Sequence, residues 1–437
     1  MVKLIDQPRY VCALGAMQTV NAIERAVPVL HSGPGCGAKL SSALTSYNGG
    51  QGSGYISYHI YPSSNLSEKE IVFGGNEKLR ETIANALKVI DADFFVALTG
   101  CTSEIIGDDV GEVVRSFAKA DKPVIYAETA GFKGSNLLGH ELVIDAIIEQ
   151  YLQPAPVQEK LVNIWATVPA HDPFWHGNLK QLEYLLVQIG LVPNTIFGPG
   201  RGVRAIDKVP QASFNLLVSP WVGLVNMEKL EQKFGTPYLQ YPVLPIGPTE
   251  TALFLRAVSE FAGIDSDVVE EVIRRHEDEY YYYIEKAADT FLETRSVGRR
   301  FVTVADSFYS LSISRFLVND IGLFPEKQFV MDGVPKKYES RVRELFTQYD
   351  HGITAEVEFT SDGEDVHRQI RDTNYFGRPI IIGTIWEKVL AKELNGHYLG
   401  VSMPAGQRLV LDRSYVGYQG ALRLLEDIYS VVLETAI

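Results

Sequence analysis

Short apolar runs alternate with amphipathic stretches along nearly the whole chain, the pattern of strands buried on both faces and helices that cover them. Residues 27–31, 94–99 and 124–127 read as strands, and 77–88, 109–119 and 142–151 as helices. Gln153-Pro154-Ala155-Pro156 breaks the rhythm and reads as a linker. The alternation then resumes with strand 161–168, helix 179–189, strand 214–218, helix 225–234 and a helical stretch over 265–294. Arg299-Arg300-Phe301-Val302-Thr303-Val304 opens a third unit, with strands at 328–331, 355–359 and 379–382. An apolar-periodic helix over 418–433 closes the chain. Regular alternation of this kind predicts the α/β class, as three Rossmann-like domains of parallel sheet flanked by helices. The expected boundaries are 1–154, 155–296 and 297–404, with 405–437 returning to the first domain.

Composition narrows the picture. A chain of 437 residues exceeds what one hydrophobic core supports, and 46% hydrophobic with 22% charged residues is ordinary for a globular protein. The net charge of −14 weighs against a nucleic-acid or anionic-membrane partner. No stretch approaches the ~18–20 apolar residues that span a bilayer. Met1-Val2-Lys3-Leu4-Ile5-Asp6-Gln7-Pro8 reads as neither a leader nor a transit peptide, so a cytoplasmic location with reduced thiols is expected.

The chemistry is concentrated in the cysteines, of which there are three: Cys12, Cys36 and Cys101. Each sits where an extended stretch gives way to a helical pattern, and glycine flanks or closely follows each. In an open parallel sheet such loops share the edge at the carboxyl ends of the strands. Helix starts offer N–H groups that favour thiolate, and glycines let backbone amides approach sulfur. That combination suits iron–sulfur ligation, though three thiolates are one short of a self-contained cluster, which implies a fourth ligand or a second chain. A lone cysteine is more often a small buried hydrophobe than a ligand. A disulfide is disfavoured by the odd count, and zinc by the lack of a CxxC or close Cys/His pair.

Several motifs resemble the nitrogenase component 1 family: His31-Ser32-Gly33-Pro34-Gly35-Cys36, Glu70-Ile71-Val72-Phe73-Gly74-Gly75 with Lys78-Leu79, and above all Cys101-Thr102-Ser103-Glu104-Ile105-Ile106-Gly107-Asp108-Asp109. Weaker matches are Gly131-Phe132-Lys133-Gly134, Lys233-Phe234-Gly235-Thr236-Pro237-Tyr238 and Gly417-Tyr418-Gln419-Gly420. The resemblance implies pairing with a homologous α-type subunit in an α2β2 heterotetramer. It places Cys12, Cys36 and Cys101 at the ligands of a relay cluster shared between the two subunits. That relay is an [8Fe-7S] P-cluster in true nitrogenases, with a [4Fe-4S] cluster as the alternative. An ATP-dependent [4Fe-4S] iron protein would supply electrons, bound for a cofactor in the α-type subunit.

Departures from the family pattern refine the expectation. Ser219 stands where an α-type chain has its cofactor cysteine, and no histidine follows His397. A hard hydroxyl is a poor substitute for thiolate on a sulfide-rich cluster, so the chain looks β-type. Gly131 aligns with a serine that nitrogenase β-subunits offer to the oxidised relay cluster, and the first cysteine comes at position 12 with no long extension before it. The chain is therefore more similar to a compact nitrogenase-like reductase, such as methylthio-alkane reductase, acting on dinitrogen or a methylated thioether. The alternative function is a scaffold subunit for cofactor assembly, and a tetrapyrrole-type reductase is the third reading.

Other conspicuous residues have plainer readings. His31 is expected as a satisfied core histidine, and Glu104, Asp108 and Asp109 as helix caps. Gly49-Gly50-Gln51-Gly52-Ser53-Gly54 lacks the Lys-Ser/Thr ending of a phosphate-binding loop and reads as an interface loop. His171-Asp172-Pro173-Phe174-Trp175-His176 reads as a strand-to-helix connection without metal, and Tyr280-Tyr281-Tyr282-Tyr283 as packing surface.

Overall fold

The computed structural model describes residues 5–46, 48–49, 61–293 and 298–434; most of the Gly49–Gly54 loop lies outside them. Among the described residues, thirteen strands form three sheets, every pairing within them parallel. The first holds β1 (Ala26–His31), β2 (Phe94–Thr99) and β3 (Val124–Ala127) in the order β1-β2-β3. The second holds β4 (Gln158–Trp165), β5 (Val192–Asn194), β6 (Ala212–Val218) and β7 (Tyr238–Tyr241) in the order β5-β4-β6-β7. The third is built on β8 (Arg300–Ala305), with β9 (Phe324–Pro325), β10 (Gln328–Val330), β11 (Val357–Phe359), β12 (Ile380–Gly383) and β13 (His397–Gly400). Its order is β11-β10-β8-β12-β13, and β9 pairs with the first residues of β8.

Every residue of β1, β2 and β12 is buried, which is why these strands read as unbroken apolar runs. β5, β7 and β13 give no such signal: β5 is three residues long and includes Pro193, β7 is only half-buried, and β13 is four residues beginning with His397. Helix Gly247–Ala262 is a further element that the hydrophobic pattern does not announce. The closing helix, Gly417–Glu434, does not return to the first domain as expected. It packs instead on helices Gly247–Ala262 and Ser266–Glu293 and along β13, burying Tyr418, Ala421, Leu424, Leu425, Ile428 and Val432 there. The tyrosine run divides: Tyr280 is buried against Tyr418, whereas Tyr281, Tyr282 and Tyr283 are about half exposed and do not form a packed surface.

Cys12 departs from the expected position. It follows no strand; the segment before it is irregular, and Cys12 makes a single antiparallel bridge to Ser135 before the short helical turn Ala13–Ala16 begins. Helix Asn136–Gln150 lies against that turn at close range because its facing residue is glycine. A Cβ on Gly139 would stand 2.1 Å from the Ala13 carbonyl oxygen and 3.1 Å from Ala16 Cβ. Gly→Ala in a helix ordinarily stabilises by about 0.5–1 kcal/mol. Gly139→Ala is expected to do the opposite, costing about 1–3 kcal/mol in a urea melt, because the two backbones must separate.

Candidate functional site

Two of the three cysteines begin helices at the carboxyl edge of the first sheet. Cys36 follows β1 and opens helix Cys36–Ser41; Cys101 follows β2 and opens helix Cys101–Ile105. Cys12 reaches the same edge from the side, through its bridge to Ser135 in the segment that follows β3. Cys36 and Cys101 are exposed and Cys12 is half-buried. The Cys12 thiol is pushed up by burial, and the nearby Cys101 and Cys36 add to this against a backbone hydrogen bond from Leu14 that lowers it. The other two thiols thus both lie within electrostatic reach of Cys12. Among the described residues no three His, Cys, Asp or Glu side chains close around a single ion.

Gly131 sits between two of the sulfurs. Its N–H donates to Cys101 Sγ at 3.1 Å. A Cβ there would lie 3.0 Å from Cys12 Cβ, 3.1 Å from Cys101 Sγ and 3.2 Å from Cys12 Sγ. A serine there, as the family pattern suggests, would fit only if the cysteine side chains gave way by a few tenths of an ångström. A carboxylate holds the glycine loop down: Glu104 Oε1 accepts from Thr99 Oγ1 (2.5 Å) and from Ala130 N (3.1 Å), while Lys133 Nζ meets Glu104 Oε2 at 2.8 Å.

The acidic residues after Cys101 therefore have three separate roles rather than one. Asp109 alone is a cap, accepting from Glu112 N at 2.7 Å. Asp108 accepts from Gly75 N at 2.8 Å and pairs with His31 Nε2 at 2.9 Å. His31 Nδ1 is hydrogen-bonded to Ser64 Oγ at 3.0 Å, so His31 is the satisfied core histidine expected. Burial lowers its pKa against the opposing pull of Asp108.

A second polar centre lies where the carboxyl edges of the second and third sheets meet; the sequence singles out Ser219 and the His171–Asp172 stretch, but not Asp306 and Asp332 beside them. It is a cavity of about 40 Å³ lined by residues that include Thr167, His171, Asp172, Ser219, Asp306, Tyr309 and Asp332. Ser219 is the residue expected in place of a cofactor cysteine. Asp172 accepts from Tyr309 Oη (2.7 Å), Phe174 N (2.7 Å) and Asn178 Nδ2 (3.0 Å). Asp332 accepts from Ser307 Oγ (2.6 Å) and Trp221 Nε1 (3.1 Å), and Asp306 from Tyr309 N and Ser402 Oγ, both at 2.8 Å. Burial raises the pKa of all three, Asp172 to about 7. The space has room for only a few waters, and burial favours the neutral forms of the three carboxyl groups around it. His171 is buried and hydrogen-bonded to Asn136 Nδ2 at 3.0 Å, and His176 stacks on Trp175, so the two histidines of that stretch point to different surroundings.

The family model described as nitrogenase component 1 type oxidoreductase matches residues 12–433. The chain belongs to that family. Its relatives include the nitrogenase molybdenum-iron protein beta chain of Clostridium pasteurianum, 23% identical over 96% of this chain and 91% of the relative. The corresponding beta chain of Methanococcus maripaludis is 26% identical over 96% and 92%. A light-independent protochlorophyllide reductase component from Angiopteris evecta is 25% identical over 82% of this chain and 70% of that protein. The solved structure of nitrogenase Cp1 at pH 6.5 superposes with a TM-score of 0.82 at 20% identity, covering 100% of this chain and 95% of the other, which establishes the shared fold. By these relatives the chain is a β-type oxidoreductase subunit of component 1 kind.

Substitution at the glycine between the sulfurs tests the geometry directly. Gly131→Ala inserts a methyl between Cys12 and Cys101 and is expected to reduce the iron retained after anaerobic purification severalfold, while lowering stability by only about 1–3 kcal/mol. A separate expectation concerns acid. Burial lowers His140 to about 3 and His171 to about 4, so below pH 6.5 the unfolded chain binds more protons and stability falls with pH. Asp172, raised to about 7, works in the opposite sense, since between pH 4 and 7 the folded chain holds the extra proton. Asp172→Asn removes that compensation. Urea melts should therefore show stability falling more steeply in the variant than in the unaltered chain as the pH is lowered from 6.5 to 4.5.

Proposed function

We propose that this chain is the β-type subunit of a nitrogenase-like two-component reductase, and that Cys12, Cys36 and Cys101 hold its half of an iron–sulfur relay cluster completed by a homologous α-type subunit. The observation that carries this reading is the trio of thiols at one sheet edge, two of them exposed, in a chain that closes no metal site alone among its described residues. Soft thiolates with amide donors beside them suit iron–sulfur ligation. When bound, such a cluster supplies electron storage and relay between an ATP-dependent iron protein and a cofactor in the α-type subunit. The Gly131 N–H withdraws charge from Cys101 Sγ, which favours the reduced level of whatever that sulfur ligates. Ile105 and Phe132, apolar neighbours of the cysteine loops, are exposed and fit burial by the α-type partner.

The inter-domain cavity supports a relay role. At about 40 Å³ and with no thiol in its lining, it does not suit a sulfide-rich cofactor cluster, so electrons would leave this chain for its partner. The expected substrate is dinitrogen or a small molecule such as a methylated thioether. A second reading, a [4Fe-4S] relay in a tetrapyrrole-type reductase, draws support from the protochlorophyllide reductase relatives and from the glycine at position 131.

Anaerobic co-purification with the α-type homologue, followed by iron and sulfide counts, tests the assignment. An [8Fe-7S] relay gives twice the iron of a [4Fe-4S] one per αβ unit. Cys36→Ala should lose the relay iron and weaken subunit pairing, because a bridging cluster contributes to assembly; unchanged iron and an intact oligomer would remove Cys36 from the ligand set. With reduced iron protein and ATP the complex should turn over a substrate. A complex that instead activates a separate apo-enzyme by transfer, with little turnover of its own, is an assembly scaffold.

A further inference from the structure

The segment leading to Cys12 is anchored in a domain to which the cysteine does not belong. Gly363 N donates to Asp6 O at 2.8 Å, and Arg9 Nη1 donates to Gln7 O at 2.7 Å. Arg9 Nη2 donates to Glu387 Oε1 at 2.5 Å across 378 residues of chain, with the two side chains 3% and 0% exposed. Glu387 is itself fully committed: its other oxygen accepts from Thr384 N and Thr384 Oγ1, both at 2.7 Å, and His367 Nε2 pairs with Oε1 at 2.9 Å. The guanidinium lies 5.7 Å from the centre of the Trp386 ring. On the other side of the cysteine, Val11 N donates to Asn136 Oδ1 (3.2 Å), Asn136 N donates to Val11 O (2.8 Å) and Ala13 N donates to Gly134 O (2.9 Å). Cys12 is therefore suspended between two anchors, one in the third domain and one in the first.

Cys36 and Cys101 have no such dependence, since each begins a helix directly after a strand of the first sheet. A buried ion pair is a poor source of net stability, because apolar residues of similar volume serve as well or better. What it does supply is register. If the segment slid by one residue, Glu387 would be left buried without its guanidinium, a strongly disfavoured state.

We propose that Arg9, locked to Glu387, is a positioning residue for Cys12, setting the register in which the Cys12 thiol joins those of Cys36 and Cys101. The inference rests on the cluster reading for its purpose, though the clamp can be tested without a cluster. Binding to the third domain thereby becomes a condition for assembling a site in the first. Any change in how those domains meet would act on one of the three thiols and spare the other two.

The test is alkylation of the full chain after chelator treatment, with iodoacetamide modification of each cysteine followed by mass spectrometry. In Arg9→Met, Cys12 should react about tenfold faster than in the unaltered chain, through local opening, while Cys36 and Cys101 change less than about twofold. Arg9→Lys should restore at least half of the protection, since an ammonium can still pair with Glu387. The double variant Arg9→Met/Glu387→Met removes the uncompensated charge and guards against global misfolding; it should still expose Cys12. Unchanged Cys12 reactivity in both variants, or an equal rise at all three cysteines in both, overturns the proposal. Iron retained by the unaltered complex is read separately. Iron loss confined to the Arg9 variants extends the clamp to the assembled site, whereas absence of iron from the unaltered complex overturns the cluster reading and leaves the alkylation result to judge the clamp.

Discussion

Close approach of backbone to sulfur governs the first domain of this protein. Gly131 has its amide on Cys101 Sγ, and a side chain there would press on both Cys101 and Cys12, so that the cysteines would have to shift. The same economy recurs one layer back, where Gly139 lets helix Asn136–Gln150 rest on the turn that follows Cys12. Glu104 then ties the Gly131 loop to β2 and to the helix that Cys101 begins. A short, glycine-rich stretch is thus held in place by a carboxylate and by tight packing instead of by a large apolar side chain.

The crevice between the second and third domains has taken a different course. Strand carboxyl ends converge there as they do wherever parallel sheets bind ligands. Here Asp172, Asp306 and Asp332 fill the convergence with carboxyl groups whose hydrogen bonds go to Tyr309, Asn178, Trp221, Ser307 and Ser402. Burial favours their neutral forms, so the centre works as polar packing between domains. The position around Ser219, where a cofactor ligand would be sought in an α-type chain, is closed in this one. The three cysteines lie apart from this centre, at the edge of the first sheet.

The strongly buried strands are legible because parallel sheet covered on both faces demands unbroken apolar runs, and β1, β2 and β12 have them. β5 and β7 are not, since they are short and only partly buried, and a run of that kind leaves a weaker trace. The destination of the closing helix is hidden for a related reason. Its apolar stripe states that one face is covered but not by what, and the covering surface is made by helices of the second domain and β13 of the third.

Sequence alone determined the α/β alternation, the three cysteines with their glycine neighbours, and the motifs that tie the chain to its family, because periodicity and residue type are local properties. Only the tertiary structure decided that Cys12 reaches the site without a strand to carry it, and that Arg9 finds Glu387 in another domain. It also decided that three aspartates far apart along the chain share one small cavity. Those facts depend on which surfaces meet, and a meeting of surfaces is written in no single stretch of residues.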